Sequence, residues 1–122
     1  MNKAPITLYG IPNCDTVKKA RARLAEQNIT YVFHDFKKQG VPAALMDIGL
    51  AQIGWERLLN RKGTTWRKLD SGMQAAIVDA TSAKALMMRE PSTIKRPVVQ
   101  WTATRVTVGF NLEEWASMMT QL

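Results

Sequence analysis

A short apolar run, Ile6-Thr7-Leu8-Tyr9, opens into the turn-forming residues Gly10-Ile11-Pro12-Asn13 and then into the only cysteine of the chain, Cys14. From Asp15 onward Val17, Ala20 and Leu24 recur on one side of a helical pattern. Strand, tight turn, cysteine, helix is an order that constrains both fold and chemistry. Asn13 is expected to cap the helix, which puts Cys14 in its first turn. There, unpaired N–H groups and the positive end of the helix dipole favour thiolate over thiol. Lys18 and Lys19 add positive charge one turn further on. A free cysteine is often simply a small core residue, but one flanked by Asn13 and Asp15 is poorly placed for a core.

A lone cysteine excludes an internal disulfide framework and fits a reducing compartment, so a cytoplasmic protein is expected. The N-terminal residues carry no long apolar segment, which points away from a signal peptide and a membrane span. A length of 122 residues suits one domain with a real core, and 46% apolar residues suit a soluble globular chain. Seventeen basic against ten acidic residues give a net charge of +7 and favour anionic partners: nucleic acid, an oxyanion or the carboxylates of a small peptide.

After the first strand, the helix is expected over Asp15 to Glu26, with Lys18, Lys19, Arg21 and Arg23 on its wet side and Asn28 as its stop. Alternation over Ile29 to Phe36 predicts a second strand, and strand, helix, strand makes a parallel βαβ unit. From Gly40 the pattern turns helical. Pro42 opens a helix with Ala44, Leu45, Ile48 and Ile53 on one side, and Gly54 breaks it. Trp55–Leu59, Thr65–Leu69, Met73–Asp79 and Ser82–Arg89 read as short helices, the last filled by Leu86, Met87 and Met88 as core methionines rather than ligands. Two strands return, Pro97–Trp101 and Thr104–Val108, with a hairpin turn at Thr102-Ala103. A final helix follows, capped by Asn111, with Leu112, Trp115, Ala116 and Met119 inward. The fold class is therefore α/β, a βαβ…ββα mixed four-stranded sheet interrupted by an all-helical insertion. The sheet part covers residues 1–40 and 91–122, and the insertion 41–90.

Three stretches give that order a resemblance: Tyr9–Ala20, Leu59–Leu69 and Pro91–Val99, with Val108-Gly109-Phe110 as a weaker fourth. Together the chain resembles the arsenate reductase and Spx (ArsC/Spx) family of the thioredoxin fold, in its YffB-like branch. Its arsenate reductases carry a histidine before the proline of the cysteine loop and a Ser-Arg pair after the threonine. Here those positions hold Gly10 and Val17-Lys18. Spx regulators carry a second cysteine where this chain has Val17, so their dithiol switch is absent.

The resemblance implies that Cys14 is the nucleophile. It implies that Arg96, before a cis Pro97, faces the cysteine, and that Arg61, Lys18, Asn13, Thr16 and Pro97 complete a substrate or anion site. A planar guanidinium suits that role because it binds oxyanions and carboxylates in bidentate fashion. Arg105 lies near a third family arginine but out of register, and His34 is expected to be structural, without the companions of a metal site. The implied activity is reduction of a thiol mixed disulfide or an oxyanion. With no resolving cysteine, glutathione is the implied co-substrate, or a glutaredoxin the partner, and no bound cofactor or metal is expected. An Spx-like regulator binding RNA polymerase and a glutaredoxin-coupled arsenate reductase are the alternatives. A monomer is expected, with no membrane association and no direct nucleic-acid contact.

Overall fold

The N-terminal elements are β1 Ile6–Gly10, α1 Asp15–Glu26 and β2 Tyr31–Asp35. Six helices follow: α2 Phe36–Gln39, α3 Ala43–Gln52, α4 Trp55–Leu58, α5 Thr64–Lys68, α6 Ser71–Ala75 and α7 Ala80–Arg89. A 3₁₀ turn at Pro91–Thr93 leads to β3 Val98–Thr102, β4 Arg105–Val108 and α8 Leu112–Thr120. The computed structural model describes residues 5–122. They divide into two compact units, one of residues up to Asp35 together with Arg96–Leu122, the other Phe36–Lys95.

In the first unit the strands lie in the order β2-β1-β3-β4. β1 and β2 are parallel, pairing Ile6 with Tyr31 and Gly10 with Asp35. β3 runs antiparallel to both β1 and β4. This is the mixed four-stranded sheet that the sequence predicts. The second strand is shorter than its alternation suggests, because Phe36 already starts α2. The hairpin turns at Ala103-Thr104, one residue later than expected, since Thr102 pairs with Arg105. The ladder slips between Gln100 and Thr102, and neither turn residue has positive φ. A bulge therefore supplies the twist that a primed turn otherwise would.

Helix α1 spans its expected residues and buries Val17, Ala20 and Leu24. It ends in a Schellman motif around Asn28, whose φ is 56°. The Ile29 N–H donates to the Leu24 carbonyl at 3.0 Å and the Asn28 N–H to the Ala25 carbonyl at 3.0 Å. Arg21 is not on the wet side. Its Nε donates to the Tyr31 hydroxyl at 2.9 Å, and its guanidinium lies 4.1 Å from the Phe33 ring centre.

One face of this sheet, carrying Ile6, Leu8, Val99 and Trp101, packs with α1 and with Trp115 and Met118 of α8. Trp115 meets Trp101 edge to face at 5.1 Å and Phe110 at 4.7 Å. Such pairs add about 0.5–1.5 kcal/mol each beyond the area they bury. The cap of α8 is as expected, the Glu114 N–H donating to Asn111 Oδ1 at 2.9 Å. Its inward face is not: Leu112 and Ala116 are exposed, and Met118 is buried in their place.

The second unit is built from helices, as the sequence predicts, with shifted details. α3 buries Leu45, Met46 and Gly49 rather than Ala44 and Ile48. Gly49 lets Leu58 pack closely, since an added Cβ would stand 3.3 Å from Leu58 Cδ1 and require it to shift by a few tenths of an ångström. The helix expected over Met73–Asp79 is Ser71–Ala75, because Asp70 caps it and Asp79 caps the next one. Leu59 bridges Ile94. There the Asn60 N–H donates to the Thr93 carbonyl and the Lys95 N–H to the Leu58 carbonyl, both at 2.7 Å.

Candidate active site

β1 and β3 are antiparallel with Tyr9 opposite Val98, so the end of β1 lies beside the start of β3. The loop after β1 carries Cys14, and the residues before β3 are Arg96 and Pro97. Topology alone thus brings thiol and guanidinium to one end of the first unit's sheet. The Arg96–Pro97 peptide is cis, Pro97 is buried and its carbonyl accepts the Gly109 N–H at 2.8 Å.

Cys14 itself is the N-cap of α1, with extended backbone (φ −143°, ψ 122°), and the Lys18 N–H donates to its carbonyl at 2.9 Å. Asn13, expected as the cap, lies one residue too early and is exposed. The physical reason is that α1 begins at Asp15, so the extended residue before it is the cysteine. The Cys14 side chain makes no cap hydrogen bond to the first turn. The dipoles of the Val17 and Thr16 N–H groups still bear on the sulfur and favour its charged form.

Cys14 is half-buried, and its burial pushes the thiol pKa up. The opposing contacts win: the Val17 N–H, then the hydrogen bond and charge of Arg96, then the Thr16 N–H hold it below the ordinary thiol value. Lys18 and Lys19, expected to help, are exposed and are not among the groups that act on the sulfur. The geometry therefore groups Cys14, Thr16, Arg96 and Pro97, adds the backbone of Val17, and leaves Asn13 and Lys18 at the solvent-facing rim. No sequence signal marks a backbone donor as such. The strand-to-helix turn is what makes those of Thr16 and Val17 predictable.

Arg61 belongs to the second unit. Its guanidinium lies 5.1 Å over the Trp55 ring, at a cleft of about 320 Å³ that Arg57, Lys62 and Lys95 also line. The Leu59–Ile94 bridge, a single pairing without a strand pattern to announce it, is what brings Lys95 to Arg61. Arg105 is exposed at the start of β4. His34 rests against the Tyr9 ring at 4.9 Å. Among the described residues no three metal-ligating side chains cluster. A larger cavity of about 510 Å³, lined by Ile6, Thr30, Trp101 and Leu122 among others, offers no ionisable side chain.

A lone, activated thiol at the first strand-to-helix turn of this sheet, with a cis-proline before the neighbouring strand, defines a thiol protein of thioredoxin-like fold. More closely, the chain belongs to the ArsC family, whose model it matches over residues 9–118. A solved YffB protein superposes with a TM-score of 0.87 at 43% identity, covering 93% of this chain and 97% of that one. A Haemophilus influenzae protein without an assigned function is 39% identical over 110 residues, 90% of this chain and 95% of its own. The global transcriptional regulator Spx 1 of Oceanobacillus iheyensis is 26% identical over 113 residues, 89% of this chain and 82% of its own. Among the described residues no helix is long and apolar enough to cross a membrane.

Proposed function

We propose that the protein is a thiol-based reductase in which Cys14 attacks a glutathione mixed disulfide. The observation that carries this is the place of Cys14 as the N-cap of α1, at the end of the sheet where Arg96 precedes β3, with the Val17 N–H, Arg96 and the Thr16 N–H together lowering the thiol pKa. A thiolate held in that way is a nucleophile near neutral pH. In the first step it attacks the glutathione sulfur of R–S–S–G. A Cys14–glutathione disulfide forms and R–S⁻ leaves, taking a proton from solvent. In the second step the thiolate of another glutathione attacks that disulfide, giving oxidised glutathione and returning Cys14 as thiolate. Glutathione is the reductant of choice because Cys14 is the chain's one cysteine and no internal thiol can resolve the intermediate. A glutaredoxin could take the place of the second glutathione.

The test is turnover of a glutathionylated peptide by wild type and Cys14→Ser, with arsenate run in parallel. Nearly complete loss in the variant is expected, and equal rates would sink the proposal. Arsenate turnover without peptide turnover would instead favour the oxyanion reductase reading. A second reading, a regulator that contacts RNA polymerase, is supported by the similarity to Spx 1 across most of the chain. Capture of RNA polymerase that is indifferent to Cys14→Ser would favour it.

A further inference from the structure

Two positions that set this chain apart from the arsenate reductases it resembles, Gly10 and Val17, are in direct contact. Gly10 ends β1 and pairs with Asp35. A Cβ built on it would stand 2.8 Å from Val17 Cγ2 and 3.3 Å from Cγ1. The first distance is shorter than real carbon contacts allow, so no other residue fits without displacement. Gly10 has no positive φ, and its small size, not its backbone freedom, is therefore what the fold uses. Val17 is fully buried and β-branched, with one strongly preferred rotamer in a helix. Moving a methyl out of the nearest position requires leaving that rotamer.

We propose that Val17 is a positioning residue for the Cys14 sulfur: seated in the notch over Gly10, its side chain fixes the first turn of α1 so that the Val17 and Thr16 N–H groups face the sulfur. The consequence follows from the geometry of a helix. Val17 is the third residue of α1, and its Cα is bonded both to the side chain in the notch and to the nitrogen whose N–H lowers the thiol pKa. A methyl added at Gly10 must displace the Val17 side chain, and because that side chain is fully buried in its preferred rotamer the displacement is passed to the turn that carries it. Other charges beside the sulfur stay where they are: Arg96 comes from the segment before β3, while Asp15 and Lys18 are exposed. The proposal rests on the reading of Cys14 as the reactive thiol, and it adds what holds that thiol's donors in place.

The experiment measures the alkylation rate of Cys14 by iodoacetamide against pH in wild type, Gly10→Ala, Val17→Ala and the double variant, with thermal melts alongside. It needs no turnover, so it can fail while the reductase reading stands, and the reverse. Gly10→Ala is expected to move the midpoint up by about half to one pH unit, the size of one weakened hydrogen bond to a thiolate. In the double variant both close contacts are gone, and the Val17 Cβ position lies 3.7 Å from the methyl at position 10, an ordinary van der Waals distance. The midpoint should then return to that of Val17→Ala. A purely structural notch would lower the melting temperature of Gly10→Ala and leave its midpoint in place, which would overturn the proposal. So would a double variant that keeps the midpoint of Gly10→Ala. Should Gly10→Ala fail to fold, Val17→Leu overfills the same notch with Gly10 intact. An unchanged midpoint there would overturn the proposal equally.

Discussion

The two units of this chain handle charge in opposite ways. Residues 36–95 hold ten of the seventeen basic residues and five of the ten acidic ones, so they carry most of the net positive charge. Their cations Arg57, Arg61, Lys62 and Lys95 ring an open cleft and form no ion pair among the described residues. The first unit is nearly balanced, yet one of its cations, Arg96, is half-buried and committed to the Cys14 sulfur. A charge that is dispersed and solvated is screened within about 10 Å at ordinary salt, whereas one held against a partly buried group is not. The second unit's cations are thus placed for general attraction of anions, offset in part by Glu56 at the same cleft, and Arg96 for an effect on one atom.

The cores differ in the same sense. The first unit is centred on aromatic rings with fixed edge-to-face geometry, Trp101, Trp115 and Phe110. The second buries a single aromatic ring, Phe36, and otherwise Leu58, Leu86, Met87 and Ile94, all at or below 1% exposure. The largest expected effect follows: Trp115→Ala should destabilise the protein by about 3–5 kcal/mol. Met87→Leu, in the adaptable aliphatic core, should cost under about 1.5 kcal/mol. Urea unfolding of both variants makes the comparison, and similar losses would mean the two cores are equally rigid.

Arg96→Ala comes next. Removing a charge-assisted hydrogen bond of about 1.5–3 kcal/mol should lower turnover by roughly one to two powers of ten and raise the Cys14 pKa. Arg61→Ala should cost about 0.5–1 kcal/mol, the value of an exposed cation over a ring. Kinetics and melts of the two variants separate a committed arginine from a merely stacked one.

How legible these features were in the sequence depends on whether a pattern had competitors. Val17, Ala20 and Leu24 are the apolar stripe of α1 among charged neighbours, and all three are fully buried as read. Helix α8 offers two stripes, one through Leu112, Trp115, Ala116 and Met119, the other through Trp115 and Met118. Contact of Trp115 with Trp101 and Phe110 accompanies the second, and nothing local announces it. Helix α3 is apolar on nearly every side, so no face could be chosen until Leu58 lay against Gly49. At the site, Cys14 and Arg96 were legible because turn chemistry and an Arg-Pro motif mark them. The Thr16 and Val17 donors have no letter of their own and are legible only through the strand-to-helix turn that leaves them unpaired.

The thiolate has a thermodynamic consequence that sharpens the same contrast. The folded pKa of Cys14 is lowered, so its contribution to stability is fully present above the unfolded thiol value of about 8.5. It is lost as pH falls through the folded value. The melting temperature of wild type minus that of Cys14→Ser should therefore grow as pH rises from 5 to 9. A flat difference would mean that folding does not favour the thiolate.

The smallest effects concern two helix caps, one in each unit. Asn111 accepts the Glu114 N–H at 2.9 Å through a neutral amide oxygen, so its hold on α8 does not depend on its own ionisation. Asp79 accepts the Ser82 N–H at 2.8 Å and the Ser82 hydroxyl also at 2.8 Å, through a carboxylate. Those backbone and side-chain bonds from Ser82 lower the Asp79 pKa against a small opposing effect of burial. By the same sign rule its stabilisation is complete above the unfolded carboxylate value of about 3.9 and fades as pH falls through the folded value. Asn111→Ala should weaken α8 by about 1 kcal/mol at every pH. Asp79→Asn keeps a good capping oxygen, so it should leave α7 near wild type at neutral pH and remove the acid dependence of its cap. Hydrogen exchange of the α7 amides between pH 6 and pH 2.5, corrected for intrinsic rates, reads this directly. Protection in wild type should fall with acid more steeply than in Asp79→Asn. Parallel curves for the two proteins would show that the carboxylate does not set the acid stability of α7.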